Sequence, residues 1–105
     1  MAYELGDFVW AELPDLDGEW PVWFVGALQQ AQGYCVVVTL TPGTDLSTLT
    51  EPDSLRFYPL KLSQLRDPDP EEAEKMQLTA TRLRTLQEVW RKRRIEFEQE
   101  ALKLD

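Results

Sequence analysis

From Asp7 to Tyr58 apolar residues fall in short runs of period two, set apart by segments rich in Pro, Gly, Asp, Ser and Thr. This pattern predicts β-strands over residues 7–13, 20–28, 34–41 and 54–58. The connection Pro14-Asp15-Leu16-Asp17-Gly18-Glu19 carries turn chemistry, and Gln29-Gln30-Ala31-Gln32-Gly33 offers a glycine for a positive φ, so both read as antiparallel links. The stretch from Thr41 to Asp53 is too long for a tight hairpin and predicts a short additional strand over residues 47–50. Five short strands in this order predict an SH3-like barrel over residues 1–66. One turn of 3-10 helix is expected within residues 60–65.

The period then changes. Asp69 as N-cap, Pro70 at the first helical position, and Glu71 and Glu72 against the positive end of the helix dipole mark a helix start, and neither Gly nor Pro follows. Met76, Leu83, Trp90, Phe97 and Leu104 recur every seven residues, with Ala80, Leu86, Val89 and Ala101 beside them, forming one helical stripe. Residues 67–105 therefore read as a helical segment packed on the barrel, either one long helix or two shorter ones joined near residues 79–81. The stripe runs on to Leu102-Lys103-Leu104-Asp105, the pattern of a domain trimmed inside a helix. The expected class is mainly β with C-terminal α.

Composition narrows the chemistry. The 105 residues, 43% hydrophobic, suit a single soluble domain, and no run is long and apolar enough to cross a bilayer. Histidine is absent and Cys35 is the only cysteine, which removes Ser-His-Asp and Cys-His relays and ordinary zinc sites. Without a phosphate-cradling glycine loop either, the chain reads as a binding module with no cofactor and no catalytic residue. Cys35, beside a run of valines, reads as a small buried hydrophobe.

Charge is distributed unevenly. Residues 1–70 hold Arg56, Lys61 and Arg66 against eleven acids, so the whole net charge of −8 belongs to them, while residues 71–105 balance. Such a surface repels nucleic-acid phosphates and attracts basic peptides. Arg91-Lys92-Arg93-Arg94 is the exception: these four side chains either contact phosphate or form the charged face of a helix with Glu88, Glu96 and Glu98.

The run Gly6-Asp7-Phe8-Val9-Trp10-Ala11, followed by Pro21-Val22-Trp23-Phe24, resembles the opening of a PWWP domain, a chromatin-reading member of the Tudor and chromo superfamily. Pro21 and Trp23 match the Pro-Trp-Trp-Pro signature, and Val22 and Phe24 depart from it. Leu55-Arg56-Phe57-Tyr58-Pro59 is similar to the last barrel strand of that family, and a C-terminal helical segment follows there too. The resemblance implies a nuclear protein that reads a methylated lysine on a histone tail through an aromatic cage. Facing rings hold such a cation because it is weakly hydrated and cannot donate a hydrogen bond.

By the same resemblance the cage walls fall on Trp23, on Leu13 and near Val38 or Thr39, with Trp20 and Tyr34 as substitute rings. Strand alternation sets Trp20 and Trp23 on opposite faces unless Pro21 bends the chain. Asp15, Asp17 and Glu19 would flank the mouth and hold a basic peptide. Nucleosomal DNA contact would be weak or absent, and no membrane partner is expected. Trp23 is either a cage wall or a core residue, while Trp10, Phe57 and Trp90 read as core, Trp90 covering the barrel. The alternative function is a protein–protein interaction module whose cage is degenerate and whose C-terminal helix docks on a partner. The two differ in what they expose: a reader leaves Trp23 partly open beside another ring, and an interaction module buries it and bares apolar surface on the helix.

Overall fold

The computed structural model describes residues 3–41 and 43–103. Five strands, β1 (Phe8–Glu12), β2 (Glu19–Ala27), β3 (Tyr34–Leu40), β4 (Leu55–Lys61) and β5 (Leu65–Arg66), form one antiparallel sheet in the order β4-β3-β2-β1-β5. Two helices follow, α1 (Pro70–Lys75) and α2 (Ala80–Lys103). The mainly β class with a C-terminal helical part is as the sequence indicates.

Both faces of the sheet are covered. Phe8, Trp23, Val25, Val36 and Val38 pack with Leu49 and with Leu86, Phe97 and Ala101 of α2. Val9, Ala11, Val22, Phe24, Cys35 and Val37 form a second cluster on the other side. The sheet curls strongly: Leu13, just beyond β1, shares that second cluster with Leu60 of β4, although two strands separate β1 from β4. This double cover explains why Tyr34 to Val38 runs apolar without alternation, since every one of those residues is buried.

The short strand expected over residues 47–50 is instead a 3-10 helix, Leu46–Thr50. Its hydroxyl-bearing residues bond locally rather than to a neighbouring strand. Asp45 accepts from the Ser47 N–H at 3.1 Å, the Thr48 hydroxyl donates to the Asp45 carbonyl at 2.8 Å, and Leu49 anchors the turn with no exposed surface. The fifth strand is the two-residue β5, reached from β4 through the expected 3-10 turn, here Leu62–Gln64.

Asp69 caps α1 as its sequence indicates: its carboxylate accepts from the Glu72 N–H at 2.8 Å, and Glu72 accepts in return from the Asp69 N–H at 3.3 Å. Of the two arrangements left open, the helical segment takes the broken one. The interruption spans Met76 to Thr79, and the Thr79 hydroxyl then accepts from the Arg82 N–H at 3.4 Å to start α2. With 24 residues at about 1.5 Å each, α2 is roughly 36 Å long and lies across the Leu46–Thr50 turn, β4 and β2. Leu104, the last stripe position, lies outside the described residues.

Two glycines admit α2 and its approach. A Cβ on Gly26 would stand 3.0 Å from the Trp90 indole nitrogen, so the bare backbone is what lets Trp90 cover the sheet. Gly6, at φ +90°, leaves room for the Leu83 side chain, which a Cβ there would overlap. Trp90 stacks on Phe97 at 5.7 Å between centroids, and Phe97 meets Phe57 of β4 at 5.3 Å.

Candidate functional site

At the rim where β2 begins and β3 ends, Trp20, Pro21, Trp23 and Thr39 line a cavity of about 230 Å³ together with Leu46 and Met76. Strand alternation still holds, for Trp23 packs in the α2-side cluster and Trp20 against the opposite one. Both residues nevertheless border one space, where the chain beyond β3 and Met76 also form walls. Thr39 is tied into the wall by its hydroxyl, which donates to the Pro21 carbonyl at 2.8 Å.

The two tryptophans differ in access. Trp20 is half-buried and its indole N–H donates to the Asp17 carbonyl at 2.7 Å. Trp23 is 1% exposed, not partly open as expected of a cage wall: its N–H donates to the Met76 carbonyl at 3.0 Å, and its ring lies 5.8 Å from that of Phe8 in the core. Leu13 and Tyr34 are not brought to this cavity. They line a separate one of about 360 Å³ with Pro59, Leu60 and Lys61. The cause is register: Tyr34 opens β3 opposite Lys61, whereas Thr39 lies five residues on, opposite Arg56.

The acidic loop is largely committed to the sheet. Asp15 meets Arg56 at 2.8 Å and Glu19 meets Arg66 at 2.7 Å, while Asp17 serves through its carbonyl. These exposed pairs contribute roughly 0–1 kcal/mol each, so they position the loop more than they stabilise the fold. The basic cluster divides as well. Arg93 lies over the rings of Phe97 and Phe57 at 5.0 and 5.6 Å and faces Glu96 at 3.5 Å, and Arg94 pairs with Glu98 at 3.2 Å. Arg91 and Lys92 are exposed to solvent on α2.

The sequence does not single out Met76 as a wall of this site, nor the neighbouring cavity of about 210 Å³ lined by Phe8, Trp10, Pro21, Glu72, Lys75 and Met76. The only signal for Met76 is its place in the helical stripe. Trp10 meets Phe8 edge-on at 5.4 Å, and its indole N–H is buried without an acceptor among the described residues. Such an orphan donor costs about 1–3 kcal/mol.

Titration adds little chemistry here. Burial pushes the Cys35 thiol up to about 12, and burial with the Asp67 carboxylate beside it pushes the Tyr3 hydroxyl up to about 12. Hydrogen bonds from Ser47 hold Asp45 below its usual range. Among the described residues no group of three or more acidic or cysteine side chains is placed to hold a metal. No family model, curated protein or solved structure matches the chain, so its function is argued from the geometry of this cavity.

Proposed function

We propose that the chain is a reader of a cationic, weakly hydrated side chain of the methylated-lysine type, carried on a basic peptide, and that the Trp20–Trp23–Thr39 cavity receives it. The observation that carries this reading is that two tryptophans three residues apart on one strand border the same cavity. At about 230 Å³ it is below the size of a drug-like pocket and suits one compact head group. The net charge of −8, all of it within residues 1–70, draws a basic peptide toward it. The resemblance to PWWP domains supports the same ligand, which in a chromatin setting is a histone tail in the nucleus.

The test is a titration of isotope-labelled protein with a trimethyllysine peptide and its unmodified twin, following the indole N–H signals. Trp20, the more accessible ring, responds first, and Trp20→Ala abolishes the response without changing the far-ultraviolet circular dichroism. Equal response to both peptides, or an unchanged response in Trp20→Ala, rejects the assignment.

A second reading draws on the burial of Trp23. In it the chain is a protein–protein interaction module, and the outer side of α2 is the contact surface. Ile95 and Leu102 are 73% and 47% exposed and one heptad apart, with exposed Arg91, Lys92 and Lys103 alongside. That face suits an acidic amphipathic helix of a partner. Loss of complex formation in Ile95→Asp combined with Leu102→Asp, with the sheet intact and peptide binding absent from the wild type, favours this reading over the first.

A further inference from the structure

The burial of Trp23 sits awkwardly with a binding site, and the segment that buries it is unusual in how lightly it is held. None of the six residues of α1 is buried, and α1 is organised internally by the Asp69–Glu72 capping box and a Glu71–Lys75 ion pair at 3.5 Å. A helix so placed is a self-contained unit resting on the sheet rather than part of the core. Its C-cap residue, Met76, is half-buried against the α2-side cluster, and its carbonyl accepts from the Trp23 indole N–H at 3.0 Å.

Met76 also stands between two spaces. It borders the cavity of Trp20 and Trp23, of about 230 Å³, and that of Phe8 and Trp10, of about 210 Å³, and Pro21 is shared by both. With Met76 in place there are two small cavities. Were it displaced, Pro21 alone among the walls the two share would stand between them.

We infer that α1 and Met76 form a lid over the aromatic site, and that ligand access requires Met76 to leave the space between the two cavities. The inference rests on the reader assignment for its ligand, but the lid itself is defined by the contacts above. It also reconciles an aromatic site with a tryptophan that is 1% exposed: the closed state is the resting one, and the apparent affinity is reduced by the fraction of time the lid is open. The chain would bend at Pro68 before α1 and at Gln77 after it, between Asp67, which accepts from the Tyr3 hydroxyl at 2.8 Å, and Leu78, which packs on the α2-side cluster.

The experiment uses the full chain and two readouts. Hydrogen exchange of the Trp23 indole and the α1 amides is compared with that of the β3 amides in the wild type, which needs no variant to fold. A lid gives exchange at Trp23 and α1 at least about tenfold faster than in β3, and exchange at the rate of β3 throughout overturns it. The second readout is Met76→Ala, which keeps the carbonyl and removes the side chain. It is titrated with the trimethyllysine peptide and its unmodified twin. If the lid is open about a tenth of the time, affinity for the methylated peptide rises about tenfold in the variant. Unchanged affinity in a variant that does bind overturns the lid. Fast exchange at Trp23 and α1 with no binding by either protein supports the lid and rejects the reader assignment instead.

Discussion

Substituting Gly26 by alanine isolates the contact that seats α2 on the sheet. An alanine Cβ would lie 3.0, 3.2 and 3.3 Å from three atoms of the Trp90 indole, all inside ordinary van der Waals separation. Neither side yields easily, because the indole is stacked on Phe97 at 5.7 Å and Gly26 lies in β2 where the pairing with β3 shifts register. Overpacking of this kind costs about 1–3 kcal/mol. The stiffer unfolded chain of the alanine variant returns about 0.4–1 kcal/mol, leaving a net destabilisation of about 1–2 kcal/mol. For a domain of this size each kcal/mol lowers Tm by about 4–8 °C, so a fall of roughly 5–15 °C is expected by circular dichroism. A double-mutant cycle with Trp90→Leu identifies the cause: with the indole gone the alanine should cost little, giving a coupling of about 1 kcal/mol or more. An equal penalty with and without Trp90, or an unchanged Tm, refutes the packing argument.

Leu86→Ala, at a site of α2 with no exposed surface, should destabilise by about 2–5 kcal/mol in denaturant unfolding, whereas Ile95→Ala, 73% exposed on the same helix, should stay within about 0.5 kcal/mol. Asp69→Ala removes the capping box of α1 and should speed exchange of the α1 amides while leaving the sheet amides unchanged, since no α1 residue contributes to the buried core. Folding keeps the Tyr3 hydroxyl protonated up to about 12, against 10.0 for an exposed tyrosine, so the unfolded chain releases that proton first as pH rises. The stabilisation that this difference supplies is therefore complete below about pH 10 and is lost between there and about 12, and Tyr3→Phe should abolish that share of the loss.

The strands were legible where turn chemistry framed them, and two features escaped for identifiable reasons. Residues 47–50 have the β-branched and hydroxyl composition of a strand, but Asp45, Ser47 and Thr48 satisfy one another locally and curl the chain instead. β5 is two residues long, too short for any periodicity to register. The helix start at Asp69 was written in its own neighbours, but with no glycine or proline to mark a break the choice between one helix and two joined near residues 79–81 stayed open, and the interruption falls slightly earlier, at Met76 to Thr79. It coincides with a bond from a tryptophan 53 residues earlier, and local pattern carries no trace of such a partner. The same distance explains the site: Trp23 and Thr39, with Trp20 as a substitute ring, were implied by the resemblance to PWWP domains, whereas Met76 enters their cavity only through the tertiary fold.

The double cover of β3 has a practical consequence at Cys35. Its side chain has no exposed surface, and burial holds its thiol protonated to about 12, so alkylating and oxidising reagents meet it only when β3 comes away from its neighbours. Its modification rate is then slowed by the unfolding equilibrium, a factor on the order of 10³–10⁸ for domains of this kind. Movement of α1 leaves the β3 cover in place and does not expose the sulfur. The chain thus carries an intrinsic clock for global opening that stays silent while its periphery moves.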